Sequence, residues 1–179
     1  NPTLECVFLK NVDVEDDTIF ENLNEINVSK CKNLRVIDIE QAGEKFTELD
    51  LSSNDKLNSL GLEGLRGLKQ LKMPETDNLK EIVVKETALE SLALEKYTKL
   101  DKVCVGGNQF DILKINMEQK TEKDIENMYL LFDNNLKVEF ISSKSGIVPN
   151  IKRLDNHNLW AGIVFSNYVV TDYEIPECW

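Results

Sequence analysis

The sequence predicts a mostly β fold: a parallel-strand solenoid of about five two-strand coils, closed by an α+β C-terminal cap. Three observations carry this. An apolar-x-x-apolar-x-apolar pattern recurs ten times, starting at residues 4, 23, 34, 46, 57, 68, 79, 89, 100 and 110. After the first gap every step is 10, 11 or 12 residues. The period stops after Ile115, and mixed helix- and strand-like signals follow.

Each unit is justified by the same geometry. In Leu34-Ile37-Ile39, Phe46-Leu49-Leu51 and Leu57-Leu60-Leu62 the last two apolar residues are two apart. They therefore share one face of an extended strand, and the first packs inward as the chain enters it. Leu68-Leu71-Met73, Leu79-Ile82-Val84, Leu89-Leu92-Leu94, Leu100-Val103-Val105 and Phe110-Leu113-Ile115 repeat this. Leu4-Val7-Leu9 and Leu23-Ile26-Val28 extend it upstream. A short strand and a turn fill one step, which leaves no room for a helix of ordinary length. One unit cannot bury its own apolar edge, so neighbours must stack. Alternate units should form two parallel sheets, in a rod on the order of 25 Å long at ~4.8 Å per strand.

The chain starts Asn1-Pro2 without a methionine, which reads as trimmed by signal cleavage or by choice of boundary. The long first gap holds Asp13, Glu15, Asp16, Asp17, Glu21 and Glu25 between Lys10 and Lys30. It lacks the glycine and ligand spacing of a calcium loop, so a solvated loop with a short capped helix near Thr18–Asn22 is expected. Residues 1–117 read as the solenoid and 118–179 as the capping region. In the latter, Thr121 and Asp124 form a capping-box-like start. Ile125, Met128, Tyr129 and Phe132 then suggest a helix over about 121–133, followed by strands at Leu136–Phe140 and Ala161–Val170.

Composition narrows the function. Among 179 residues, 21 Lys and Arg against 32 Asp and Glu give a formal net charge of −11. The excess is −7 over residues 1–117 (15 bases, 22 acids) and −4 over 118–179 (6 bases, 10 acids). Neither part offers the cationic surface that nucleic acid requires. No apolar run approaches the ~20 residues of a membrane span. A single histidine, His157, excludes a multi-histidine metal site. Its neighbour Asp155 lies in a polar turn and does not make a convincing catalytic pair. Cys6, Cys31, Cys104 and Cys178 form no CxxC, so no zinc ribbon is expected. Cys31 falls on a core position, and Cys104 falls between Val103 and Val105, facing outward near Lys102. No metal, cofactor or catalytic site is expected.

The segment Phe46-Thr47-Glu48-Leu49-Asp50-Leu51-Ser52-Ser53-Asn54 resembles the leucine-rich-repeat pattern LxxLxLxxN. Leu100 to Asn108 gives a second match, and Cys31 takes the asparagine position after Leu23-Ile26-Val28. The short period is similar to the 21–22-residue repeats of bacterial surface proteins of the internalin and Bacteroides types. The resemblance spans about residues 4–117. Ala42, Leu65, Thr76, Thr87 and Tyr97 replace the asparagine elsewhere, so its hydrogen-bonded ladder must be interrupted, with the threonine hydroxyls as substitutes.

The resemblance implies a non-catalytic binding module, extracellular or at the bacterial cell surface, that recognises a protein or glycan. An intracellular scaffold or effector, or a functional module in the tail, are the alternatives. Repeat proteins bind through exposed strand positions. On one sheet these are Glu25, Asn27, Glu48, Asp50, Gln70 and Lys72, with an acidic end suited to a basic protein patch.

Overall fold

A computed structural model describes residues 1–10, 20–142 and 149–154. It is a parallel β-solenoid of about five turns. Strands β1 (Cys6–Leu9), β2 (Val36–Glu40), β4 (Ser59–Glu63), β6 (Glu81–Lys85), β7 (Lys102–Gly106), β9 (Tyr129–Asp133) and β11 (Ile151–Leu154) form one seven-stranded sheet in that order. Every pairing in it is parallel. The opposite side holds two two-stranded sheets: β3 (Glu48–Asp50) with β5 (Gln70–Lys72), and β8 (Ile112–Asn116) with β10 (Lys137–Ile141).

The register explains the repeat. Val7, Ile37, Leu60, Ile82, Val103 and Leu130 stack as one inward column. Leu9, Ile39, Leu62, Val84, Val105 and Phe132 form the next. From the second strand onward these residues are no more than 1% exposed. A fully buried Leu or Ile contributes roughly 1.5–3 kcal/mol. An exposed ion pair contributes roughly 0–1 kcal/mol. The two columns, and not the surface charges, therefore hold the coils together.

Four strands of the large sheet are left through a left-handed residue. Gln41 (φ 56°), Gly64 (φ 69°), Glu86 (φ 50°) and Gly107 (φ 66°) follow β2, β4, β6 and β7. Glycine adopts this conformation without the Cβ penalty that Gln41 and Glu86 incur. The amide of each of the first three donates to the carbonyl at the same corner of the next coil: Gln41 to Glu63, Gly64 to Lys85 and Glu86 to Gly106.

Three expectations change. The second sheet is not continuous: Leu89-Leu92-Leu94 fits the repeat, yet only Leu94 makes a bridge, to Ile115. The helix expected over 121–133 is α1, Glu122–Asn127. Its Thr121–Asp124 capping box is present, but the chain turns extended at Met128. Beyond it, Tyr129 to Phe132 pair with Lys102 to Val105, which buries Leu130, Leu131 and Phe132. Sheet pairing here outweighs a local helical period. Lastly, stacking does not stop at residue 117, because β9 extends the large sheet and β10 pairs with β8. The loop acids Asp13–Asp17, the Asp155–His157 pair, Cys178 and the Ala161–Val170 run lie outside the described residues.

Candidate binding faces

The two outer faces differ in chemistry. On the large sheet, charged residues pair along the stack. Lys10 meets Asp38 at 2.8 Å and Glu40 at 3.0 Å, and Lys85 meets Glu63 at 3.3 Å. Lys102 lies 3.9 Å from Glu81. Between these ion pairs an apolar strip forms, where Cys104 and Leu131 pack with Val83 and Tyr129. Cys104 does point away from the main core, but it is only 2% exposed. Burial pushes its thiol up to about 12, against the weaker pull of Lys102 and Lys85. A nucleophilic cysteine needs the opposite, a lowered pKa and access. Cys31 is buried as expected, and the three described cysteines are free thiols.

On the second side, β3 and β5 place Glu48 beside Gln70 and Asp50 beside Lys72. Asp50 is occupied structurally. Its Oδ1 accepts from the Ser52 amide at 3.0 Å and the Ser52 hydroxyl at 2.6 Å, while Lys72 reaches Oδ2 at 3.2 Å. The Ser52 bonds, followed by Lys72, lower its pKa to about 2. Asn27 makes the same turn with Ser29, at 3.2 Å to the amide and 2.7 Å to the hydroxyl. An Asx side chain bonding two residues ahead mimics a backbone turn. So Asn27 and Asp50 shape corners, and Lys72 is tied to Asp50. Glu25, Glu48 and Gln70 are exposed, and no hydrogen bond or ion pair holds their side chains among the described residues. The structure brings four of the six expected residues into one strand pair, and Glu25 and Asn27 lie on the segment before it.

A groove of about 1010 Å³ opens beyond β5. Lys69 to Met73 line one wall and Ala88 to Ala93 the other. Lys96 and Glu75, 2.8 Å apart, also line it. Leu71 and Met73 are partly exposed here, whereas Leu49, Leu51, Leu113 and Ile115 at the same repeat positions are buried. The repeat pattern did not reveal this groove. The available signals were Pro74 directly after Met73, and Tyr97 at an asparagine position.

The interrupted asparagine ladder explains the corners. Asn54 is fully buried, and its amide donates to the Val28 and Cys31 carbonyls, each at 3.0 Å. Asn108 donates to Val84 and Gly106 at 2.8 and 3.0 Å, and accepts from the Thr87 amide and hydroxyl. The Thr87 hydroxyl in turn accepts from the Leu89 amide. Tyr97 replaces the amide with a fully buried ring whose hydroxyl donates to the Pro74 carbonyl at 2.7 Å.

Fold and faces together define a parallel β-solenoid with two chemically distinct sides. No protein-family model matches the chain, and no curated protein matches it. Among the described residues, no group of three or more His, Cys, Asp or Glu is placed to hold a metal, and no helix is long and apolar enough to cross a membrane.

Proposed function

We propose that the chain is a non-catalytic binding module of the leucine-rich-repeat type. It recognises a protein partner through the exposed side of its second sheet, outside the cell or at a bacterial cell surface. One observation carries this reading: Glu48 and Gln70 project from the β3–β5 pair and Glu25 from the segment before it, and their side chains serve no described internal contact. The backbone of such a strand array is already ordered, so docking has only the side chains left to fix. The acidic end favours a basic protein patch over a neutral glycan, since charge complementarity raises association rates and rejects wrong partners.

The test uses the intact protein as bait and a paired variant, Glu25→Lys/Glu48→Lys. These two positions leave the Asn27 and Asp50 turns intact. Captured partners should be lost from the variant, with its circular dichroism unchanged. An identical set of captured proteins overturns this face as the site.

A further inference from the structure

The groove beyond β5 is a break in hydrogen bonding as well as in shape. In a parallel pair, alternate residues turn both backbone groups toward the same neighbour. Within β5, the Gln70 amide bonds the Thr47 carbonyl and the Lys72 carbonyl accepts from Leu51, so Gln70 and Lys72 face β3. Leu71 therefore turns its N–H and C=O the other way, into the groove. In a closed solenoid residues 91–93 would receive them. No strand pairing or backbone bond joins β5 to that segment. The edge is thus open in mid-sheet, between coils whose other sides are fully paired through β4 and β6.

We propose that this slot takes an extended, acidic segment of a partner protein, which adds to the β5 edge as a new parallel or antiparallel strand. The proposal deepens the binding-module reading and rests on it. Three observations fit that occupant. Leu71 offers an unpaired backbone donor and acceptor, which is what strand addition uses for affinity. Leu71, Met73, Leu89 and Leu92 give the slot an apolar floor for alternate side chains. Lys69, Lys72 and Lys96 line it, with Lys72 held by Asp50 and Lys96 by Glu75, which leaves Lys69 to meet a carboxylate of the occupant. Lys69 has no described ion-pair partner. The chain's own β-rich run, Ala161–Val170, carries no charge and would leave Lys69 unused.

The break has a local cause in the same residues. Tyr97 places a full aromatic ring in the core where Asn54 stands two coils earlier, and its hydroxyl anchors to Pro74 at the end of β5. The ring acts as a spacer between the two coils.

Amide hydrogen exchange on the full-length protein tests the slot directly. The Leu71 amide should exchange at least tenfold faster than that of Leu49, its counterpart one coil earlier. A synthetic seven-residue peptide of alternating glutamate and valine should bind and slow Leu71 exchange at least tenfold. The same peptide with N-methylated backbone amides should bind at least tenfold more weakly, as should the parent peptide to Lys69→Glu. If Leu71 is already protected in the free protein at all concentrations, the chain itself fills or closes the slot and the proposal falls. Protection that grows with protein concentration marks a second copy as the occupant and also overturns it. Equal affinity for the N-methylated peptide rules out strand addition. Loss of partner capture on Glu25→Lys/Glu48→Lys, with no peptide binding, sinks the slot while keeping the face. Peptide binding with unchanged capture does the reverse.

Discussion

The two sides of this solenoid share one repeat and differ in continuity. The large sheet runs unbroken through seven strands, while the opposite side is divided into two pairs, and the Leu94–Ile115 bridge ties the segment between them only to β8. Both sides place apolar residues at the same repeat positions. The difference is at the corners. On the large side the left-handed residues 41, 64 and 86 each hand a hydrogen bond to the next coil. On the second side no described residue that follows β3, β5 or Leu94 is left-handed, whereas the asparagine position varies on both sides, with Ala42, Leu65 and Thr87 on one and Asn54, Thr76 and Tyr97 on the other. Apolar patterning sets which way a side chain points. A repeated left-handed corner that bonds the next coil accompanies unbroken pairing. A solenoid can therefore keep a closed core on one side and a usable opening on the other.

The largest effect should come from truncating equivalent leucines on the two sides. Leu60 sits in the middle of the large sheet with 1% exposure. Leu60→Ala should cost about 2–5 kcal/mol, as for other buried leucines. Leu71 is partly exposed to the groove and leaves a smaller void. Leu71→Ala should cost less than half as much. Urea denaturation of both variants checks this, and equal losses would show that the slot is closed in solution.

Next in size come the corners. Asn54→Ala removes one of two donors from each of two carbonyls, Val28 and Cys31, which keep the Cys31 and Leu34 amides. A net hydrogen bond contributes about 0.5–1.5 kcal/mol, so loss of the two should cost about 1–3 kcal/mol. Tyr97→Phe removes only the bond to Pro74 and keeps the ring. It should cost about 1 kcal/mol, and Leu71 exchange should stay fast, because the ring keeps the coils apart. Tyr97→Phe slowing that exchange would assign the opening to the hydrogen bond instead of the ring.

Much of this architecture is legible in the residues. The strands of the large sheet through β7 follow from period and alternation, because each places its two repeat residues in the core. The run from Tyr129 to Phe132 does not alternate, since Leu131 is buried on the outer face with Cys104. A strand buried on both faces reads locally like a helix. The groove is illegible for another reason: Leu89-Leu92-Leu94 keeps the pattern while losing the pairing. Among the candidate site residues, Asn27 and Asp50 each precede a serine by two positions. That spacing is an Asx-turn signal, and it distinguishes corner-forming residues from freely projecting ones by residue order alone.

The smallest expected effect isolates that distinction by pH. Asp50 has its pKa lowered from 3.8 to about 2, mainly by the Ser52 bonds. A carboxylate with a depressed native pKa stabilises the fold above its ordinary pKa, and that stabilisation is lost as pH falls through the native value. The contribution of Asp50 should therefore be complete above about pH 5 and fade between about pH 4 and pH 2. Asp124, lowered by its bonds to Thr121, acts in the same direction on the far side of the chain. Asp50→Asn keeps an acceptor for Ser52 and removes the charge. The variant should be slightly less stable than the parent at pH 6, and the two should converge near pH 2. Glu48→Gln, on the same strand but free of the turn, should leave the acid limb unchanged. A parallel shift from Glu48→Gln would show that the acidic face acts through its summed charge, and that Asp50 holds no special place at the corner.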